Sequence, residues 1–460
     1  MRPVRRRERP VTSERQRLPQ PLIRRRLPSG RGAMEQPNVT GDGEAALSPT
    51  FWLAVVATGV AAGLLGDALM ALLFTVQHLA FGYHTGSLQA AVEHASGTRR
   101  VASLLVAGAF GGVAWTLLRR ATPGENAEID DAIWTGDGTL SPRRSLGTSV
   151  ISEIVIGMGA SIGREAAPKL MGGVAGSVFA KFMRLSPAQR RLLVACGGGA
   201  GFAAVYNVPL GGALFTAEVL LGSMALPVVL AALACSTVAT ATAWLYLPAH
   251  ATYLDMPSYH SSASLLVWSV LVGPVVGLLA AFYIRMIGWV SHHAARGRIA
   301  FVAPLGAFGI LGLVGLEYPQ LFGNGKDMAH SVFLGQGGLV LLFALFALKP
   351  FVTALCLGSG ASGGLFTPFL STGAVLGGFL GLAWVHAWPG APVGAFAMVG
   401  AAAMIGASMQ APLVGLALVL ELTNSGFQLL VPMAVASVVA TAVTRHVDGY
   451  SMYTARLSSR

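Results

Sequence analysis

Charge is what this chain of 460 residues has least of. Asp, Glu, Lys and Arg together fill 11% of its positions, against about 25% in an ordinary soluble domain. With 54% of residues hydrophobic, the chain has too little polar surface to cover a water-soluble fold. Cysteine is nearly as scarce. Cys196, Cys235 and Cys356 are an odd number at long spacings in apolar stretches, which excludes a disulfide framework and a cysteine zinc site and leaves them as small packing residues. No heptad or Gly-X-Y period runs through the chain, so a coiled coil and a collagen are excluded as well. What remains is a polytopic membrane protein.

The little charge there is lies mostly at one end. Residues 1–33 hold eleven arginines against Glu8 and Glu14, nine of the eleven net positive charges of the whole chain. The alkaline character therefore belongs to a tail. Residues 1–46 are expected to be a basic, disordered segment that keeps the N-terminus cytoplasmic. No apolar core adjoins the arginines, so they do not form a signal peptide. A nucleic-acid role would rest on this tail alone, and none is expected.

From Phe51 onward apolar segments continue almost to the end, and no Asp, Glu, Lys or Arg occurs between Pro350 and Leu420. At about 20 residues per span, residues 50–445 have room for ten to twelve membrane helices. Glycine interrupts them often, as at Gly197-Gly198-Gly199, Gly358-Ser359-Gly360 and Gly363-Gly364. Broken helices survive in a bilayer where the freed backbone faces protein or a watery cavity. That pattern fits a transport pathway better than an anchor.

The chain also repeats itself. Gly163, Pro168, Leu170 and Gly173 recur 200 residues on as Gly363, Pro368, Leu370 and Gly373. Asn207-Val-Pro209-Leu210-Gly-Gly212 with Glu218 recurs after 203 residues as Gln410-Ala-Pro412-Leu413-Val-Gly415 with Glu421. Two blocks in the same order predict a duplication, with halves of roughly 47–250 and 251–445 inside a transmembrane domain of 47–460. Broken segments at matching places in two halves point to a site at the repeat interface.

Within the first block, Gly163-Arg164-Glu165-Ala166-Ala167-Pro168 follows the apolar run from Ile154 to Ile162. An ionisable residue there costs about 2.5–3.5 kcal/mol on insertion scales, which makes it a functional candidate. Neighbouring residues on a helix point about 100° apart, so Arg164 and Glu165 are poorly placed to neutralise each other. A helix starting inside the membrane presents unpaired N–H groups and about half a positive charge. Such an end attracts an anion without trapping it. Gly363-Gly364-Leu365-Phe366-Thr367-Pro368 offers a second such end. The carboxylate of Glu165, itself an anion, would take the site when ionised and leave it when protonated.

These residues resemble the CLC family of chloride channels and chloride/proton antiporters, from about Phe51 to Tyr453. Gly163 to Pro168 is similar to its G-R-E-G-P motif, and Asn207 to Phe215 to its N-x-P-L-x-G-x-x-F block. Gly364 to Pro368 fits G-x-F-x-P, and Gly449-Tyr450-Ser451-Met452-Tyr453 resembles the segment carrying the anion-site tyrosine. The resemblance implies an all-α polytopic membrane protein with two inverted structural repeats of tilted, broken helices, a homodimer with one pore per subunit, in the cell (inner or plasma) membrane. It implies chloride or a similar anion as the transported ligand, protons as a second one in the antiporters, and no cofactor or metal. Glu165 would be the gating glutamate. The amides of Leu365 and Phe366 and the hydroxyl of Tyr453 would line the central anion site, and Gly163, Arg164 and Ala166 would open the helix that holds the outer one. With the chain ending soon after Tyr453, appended nucleotide-sensing domains are not expected.

The chain departs from the family in three places. Its first anion motif falls at Pro123-Gly124-Glu125-Asn126-Ala127, so Gly124 stands where the anion-coordinating serine belongs. A carrier of fluoride or nitrate is therefore an alternative. The internal proton-relaying glutamate of the antiporters aligns with Val219, one residue after Glu218. Valine carries no proton, which favours a channel or a loosely coupled exchanger. Ala166 and Ala167 replace a glycine and a proline after Glu165. An intramembrane hydrolase is the competing class, but no His-Glu-x-x-His pair or base-supported serine is present.

Overall fold

The computed structural model describes residues 48–134 and 136–457. The basic tail, with all its arginines, lies outside the described residues. Among the described residues there are seventeen α-helices and no β-strand. The first half comprises α1 (Pro49–Phe81), α2 (Leu88–His94), α3 (Gly97–Ala121), α4 (Ile129–Trp134), α5 (Pro142–Gly157), α6 (Ala166–Phe182), α7 (Pro187–Tyr206), α8 (Pro209–Leu214) and α9 (Leu226–Ala243). The second comprises α10 (Ala263–His292), α11 (Ile299–Glu317), α12 (Lys326–Phe333), α13 (Leu339–Gly358), α14 (Phe366–Trp384), α15 (Val393–Met409), α16 (Pro412–Thr423) and α17 (Leu430–Val447). A π-helical turn, Phe215–Leu220, extends α8.

Local sequence sets where these helices start and stop. Ser48, Ser96, Ser141, Ser186 and Ser262 each accept a first-turn amide through the side chain, which satisfies one of the orphan donors of a helix start. Ser186 and Gln189 form a capping box, with Pro187 in the first turn. The repeated Asn207/Gln410 block is a stop-and-restart device. Both residues adopt the left-handed conformation, at φ 56° and 58°, and end α7 and α15. A proline two residues on then opens α8 and α16, where its missing N–H costs nothing.

Apart from α2, the helices pair across the halves in order, α1 with α10 and α3 with α11 through to α9 with α17. Their packing repeats too. The α6–α7 pair is matched by α14–α15, α1–α9 by α10–α17, and α7–α9 by α15–α17. The counterparts α3 and α11 pack on each other, as do α8 and α16. Equivalent elements touching one another mark a pseudo-two-fold axis between inverted halves. Next to the site, Gly163 and Gly364 exchange both backbone hydrogen bonds, at 2.8 and 2.7 Å, in a single antiparallel bridge. The sequence offset matches Gly163 to Gly363, one residue away from this pairing.

The helices vary far more in length than a uniform 20 residues. Eight of those described are long and apolar enough to cross a membrane, fewer than the ten to twelve expected, and three shorter apolar helices lie beside them. At 1.5 Å per residue, α1 is about 50 Å long and must tilt to fit an apolar core of about 30 Å. The π turn adds to α8, yet Pro209–Leu220 and α16, at twelve residues each, reach only about 18 Å. Residues saved in the short elements are spent in the long ones, which an average over the chain conceals. The three cysteines are free and buried, as expected of packing residues.

Glu218 and Glu421 brace the axis. The Glu421 carboxylate accepts from the amides of Leu210 (3.0 Å) and Gly211 (2.5 Å) at the start of α8. Glu218 accepts from Leu413 (3.4 Å) and Val414 (2.9 Å) at the start of α16. Each half thus caps a helix of the other. Replacing either glutamate with alanine is expected to lower stability by about 1–2 kcal/mol, in the range of lost helix caps. Thermal unfolding in detergent checks this, and an unchanged Tm for both variants would contradict it.

Candidate functional site

The segment Ala160–Glu165 is held in place before its glutamate does anything. Ser161 accepts a hydrogen bond from the buried ammonium of Lys349 on α13 (2.8 Å), which also donates to the Gly323 carbonyl (2.9 Å). On the facing segment, the Ser362 carbonyl accepts from Ser152 of α5 (2.5 Å). Between these anchors the Gly163–Gly364 bridge brings the starts of α6 and α14 together. Glycine at both bridge positions leaves the space in which the Glu165 carboxyl sits. A Cβ on either would overlap the Glu165 carboxyl.

Glu165 occupies the cap position of α6 but makes no side-chain hydrogen bond to its own helix. Its side chain crosses instead to the other half. Oε1 accepts from the amide of Phe366 (2.7 Å), the first residue of α14. Oε2 accepts from the Tyr206 hydroxyl (3.2 Å) and the Thr367 hydroxyl (3.3 Å). Tyr206 and Thr367 lie 2.7 Å from each other, so two hydroxyl protons serve three oxygen–oxygen contacts. The carboxylate is 3% exposed, at the positive end of a helix dipole.

Two cavities flank this arrangement. The first, of about 40 Å³, is lined by Glu165, Ala166, Lys169, Leu365 and Tyr453, among others. That volume has room for one or a few water-sized occupants. The second, of about 260 Å³, is lined by Arg164, with Lys326, Asp327 and His330. Adjacent residues therefore face different spaces. Arg164 forms no ion pair with Glu165; its guanidinium lies 5.1 Å from the Tyr206 ring centre and 5.8 Å from that of Phe74.

The expected site residues largely converge. Glu165, Ala166, Leu365 and Tyr453 share the first cavity, and Gly163 and Phe366 meet Glu165 directly. Phe366 is not lipid-facing. Its ring is 1% exposed and packs edge-on against Phe202 and Tyr206. Tyr453 is buried against Phe215 rather than at a membrane edge. Arg164 falls to the second cavity. Gly124 does not join the others: it sits exposed in a turn at φ 72°, and the part of its loop that lines the first cavity begins at Ala127. Glu125 is likewise exposed and accepts a hydrogen bond from Ser141, which turns it away from the cavity.

Residues 105–445 match the family described as voltage gated chloride channel. The chain belongs to that family. It is 31% identical over 385 residues to the voltage-gated ClC-type chloride channel ClcB of Citrobacter koseri, covering 80% of this chain and 89% of the relative. It is 30% identical over 313 residues to the H(+)/Cl(-) exchange transporter ClcA of Yersinia pestis, covering 66% and 65%. The fold is similar to that of a slow cyanobacterial Cl-/H+ antiporter, with a TM-score of 0.77 and 21% identity, over 89% of this chain and 97% of the other. A CLC-type fluoride/proton antiporter superposes with a TM-score of 0.70 at 21% identity, over 89% and 98%. The protein is thus a multi-pass protein of the inner or plasma membrane, and its activity is CLC-type anion transport. Members of this family are transporters or channels rather than enzymes.

Sequence reasoning missed Tyr206, Thr367, Lys169 and Glu153. Tyr206 and Thr367 stand inside or beside the matched blocks, one before Asn207 and the other between Phe366 and Pro368, so their hydroxyls were within reach of the argument. Lys169 lies four residues after Glu165, on the same face of α6. Glu153 gave no signal, although it is fully buried on α5 with neither carboxyl oxygen hydrogen-bonded. Gly364→Ala is expected to push the Glu165 carboxylate off the Phe366 amide while the protein still folds. A structure of that variant with the hydrogen bond intact would refute the steric account.

Proposed function

We propose that the protein moves chloride across the membrane through a pore gated by Glu165, as a channel or a loosely coupled exchanger rather than a tight antiporter. The observation that carries this reading is the hydrogen bond from the Phe366 amide to the Glu165 carboxylate. An N–H group at a helix start binds one anion at a time. A carboxylate there excludes chloride, and chloride there excludes the carboxylate. At the Phe366 amide itself neither is in contact with a full positive charge, so either can leave it.

The sign of the pH response follows. When ionised, Glu165 competes with chloride and flux is low. When protonated it is neutral, releases the amide, and flux rises as pH falls. In liposomes, wild-type chloride efflux should therefore increase on acidification. Glu165→Gln should give efflux that no longer varies with pH and matches or exceeds the wild-type acidic rate. Full retention of the pH response in that variant would sink the gate assignment.

Weak proton coupling is supported by what Glu218 and Val219 do. Glu218 is engaged with two amides of the opposite half, so moving it to shuttle protons would uncap α16. Val219 has nothing to titrate. The relatives' names divide between a channel and an exchange transporter, and a single measurement separates the two. A chloride gradient imposed across proteoliposomes is expected to drive little uphill proton movement; stoichiometric proton pumping would overturn the channel-like reading. Selectivity for fluoride or nitrate is a second reading, motivated by the missing hydroxyl at Gly124, and ranked anion fluxes distinguish it.

In this reading the protein works as a homodimer with a pore in each subunit. Supporting this, α8 and α16 are too short to span the bilayer, yet Leu210 and Leu413 at their starts are each 48% exposed, a paired face that a second copy would cover.

A further inference from the structure

Lys169 is in a costly place. It lies in the first turn of α6, where a positive side chain opposes the helix dipole, and it is only 8% exposed in a membrane protein. Two contacts offset part of this cost. Its ammonium lies 3.4 Å from Asp130 and 4.5 Å from the centre of the Tyr453 ring. The ion pair is longer than the roughly 2.7–2.9 Å of a strong charge-assisted bond. An ammonium has three donors, and these two contacts leave capacity directed at the cavity that Lys169 shares with Glu165, Leu365 and Tyr453.

Two serine hydroxyls in that cavity are committed elsewhere. Ser149 donates to the Ala167 carbonyl and Ser152 to that of Ser362, while the Gly124 turn brings no hydroxyl to it. The charged side chains around the cavity are Glu128, Asp130 and Glu165 on one side of the balance, and Lys169 and Arg456 on the other. Once Glu165 is neutral the two signs are equal. The field on an incoming anion then depends on how firmly Asp130 holds the lysine.

We propose that Lys169 is an affinity- and specificity-determining contact for the transported anion, binding a small monovalent ion of halide size beside Tyr453, with Asp130 setting the strength of that binding. This rests on the anion-path reading of Glu165 but concerns a different residue and a different readout. Lys169 binds the ion directly, and Asp130 acts through it as a positioning residue.

The test uses the full-length protein in liposomes and in detergent, with chloride as the probe. Lys169→Met should raise the chloride concentration giving half-maximal efflux, and the chloride Kd measured by calorimetry, by about tenfold, as expected for removing one nearby charge. Lys169→Arg should stay near wild type. Asp130→Asn should shift both values the other way, toward tighter binding. Opposite shifts cannot come from general damage to the fold. Unchanged affinity in both variants, or weaker binding in both, would overturn the proposal. If Lys169→Met does not fold, Asp130→Asn decides alone, and unchanged or weaker binding there counts against it. Glu165→Gln measured in parallel separates the two readings. Loss of its pH response with normal affinity in the Lys169 and Asp130 variants defeats only the lysine contact, whereas a retained pH response defeats the gate.

Discussion

A helix that begins inside a membrane protein exposes amide N–H groups with no partner in their own helix, and water is not there to take them. The structure depends on how this one constraint is met. The start of α14 is met by Glu165, which leaves its own helix uncapped to reach across. The starts of α8 and α16 are met by Glu421 and Glu218, again from the opposite half. No half is complete alone. The site lies where the halves join because only there can one half supply what the other lacks.

This division also accounts for the glycines at the junction. Two backbone segments and a carboxyl group must meet in the same few ångströms, and a single Cβ at Gly163 or Gly364 would occupy the space that the carboxyl needs. The anchoring contacts lie one step back, at Ser161 with Lys349 and at Ser362 with Ser152. Rigid backbone on both sides lets one side chain be the movable part.

Much of this was legible in the sequence, for a physical reason. Membrane burial makes every ionisable residue expensive, so Glu165 stood out, and the duplication showed where its partner helix would begin. The repeat set Glu218 and Glu421 at matching positions, and their exchanged caps show what the match is for. Legibility ended where function depends on which way a common residue faces. Tyr206 and Thr367 look like ordinary packing until the chain is folded, and a lysine in the first turn of a helix gives no hint that it overlooks a tyrosine ring from Tyr453, 284 positions away in the chain. Gly124 stands apart from the cavity for a related reason. An alignment fixes order along the chain but not where a loop turns, and this loop reaches the cavity only from Ala127 onward. The count of membrane helices failed because the bilayer constrains the apolar length of a span and leaves the helices free to be much longer or shorter.

The three bridging carboxylates differ in a way that bears on the proposed gate. Glu218 and Glu421 each hold two backbone amides, and withdrawing either would uncap a helix start at a cost of about 1–2 kcal/mol. Glu165 holds one amide and two hydroxyls. Hydroxyls can turn, and Tyr206 and Thr367 are already 2.7 Å apart, so one can donate to the other when the carboxylate goes, and the remaining proton is free to rotate toward another acceptor. The Phe366 amide, which cannot turn, is left unpaired, and in the proposed pathway a halide entering the vacated place restores its partner. The departure of the carboxylate is therefore cheap when, and only when, an anion replaces it, which is the coupling a gate in an anion path requires.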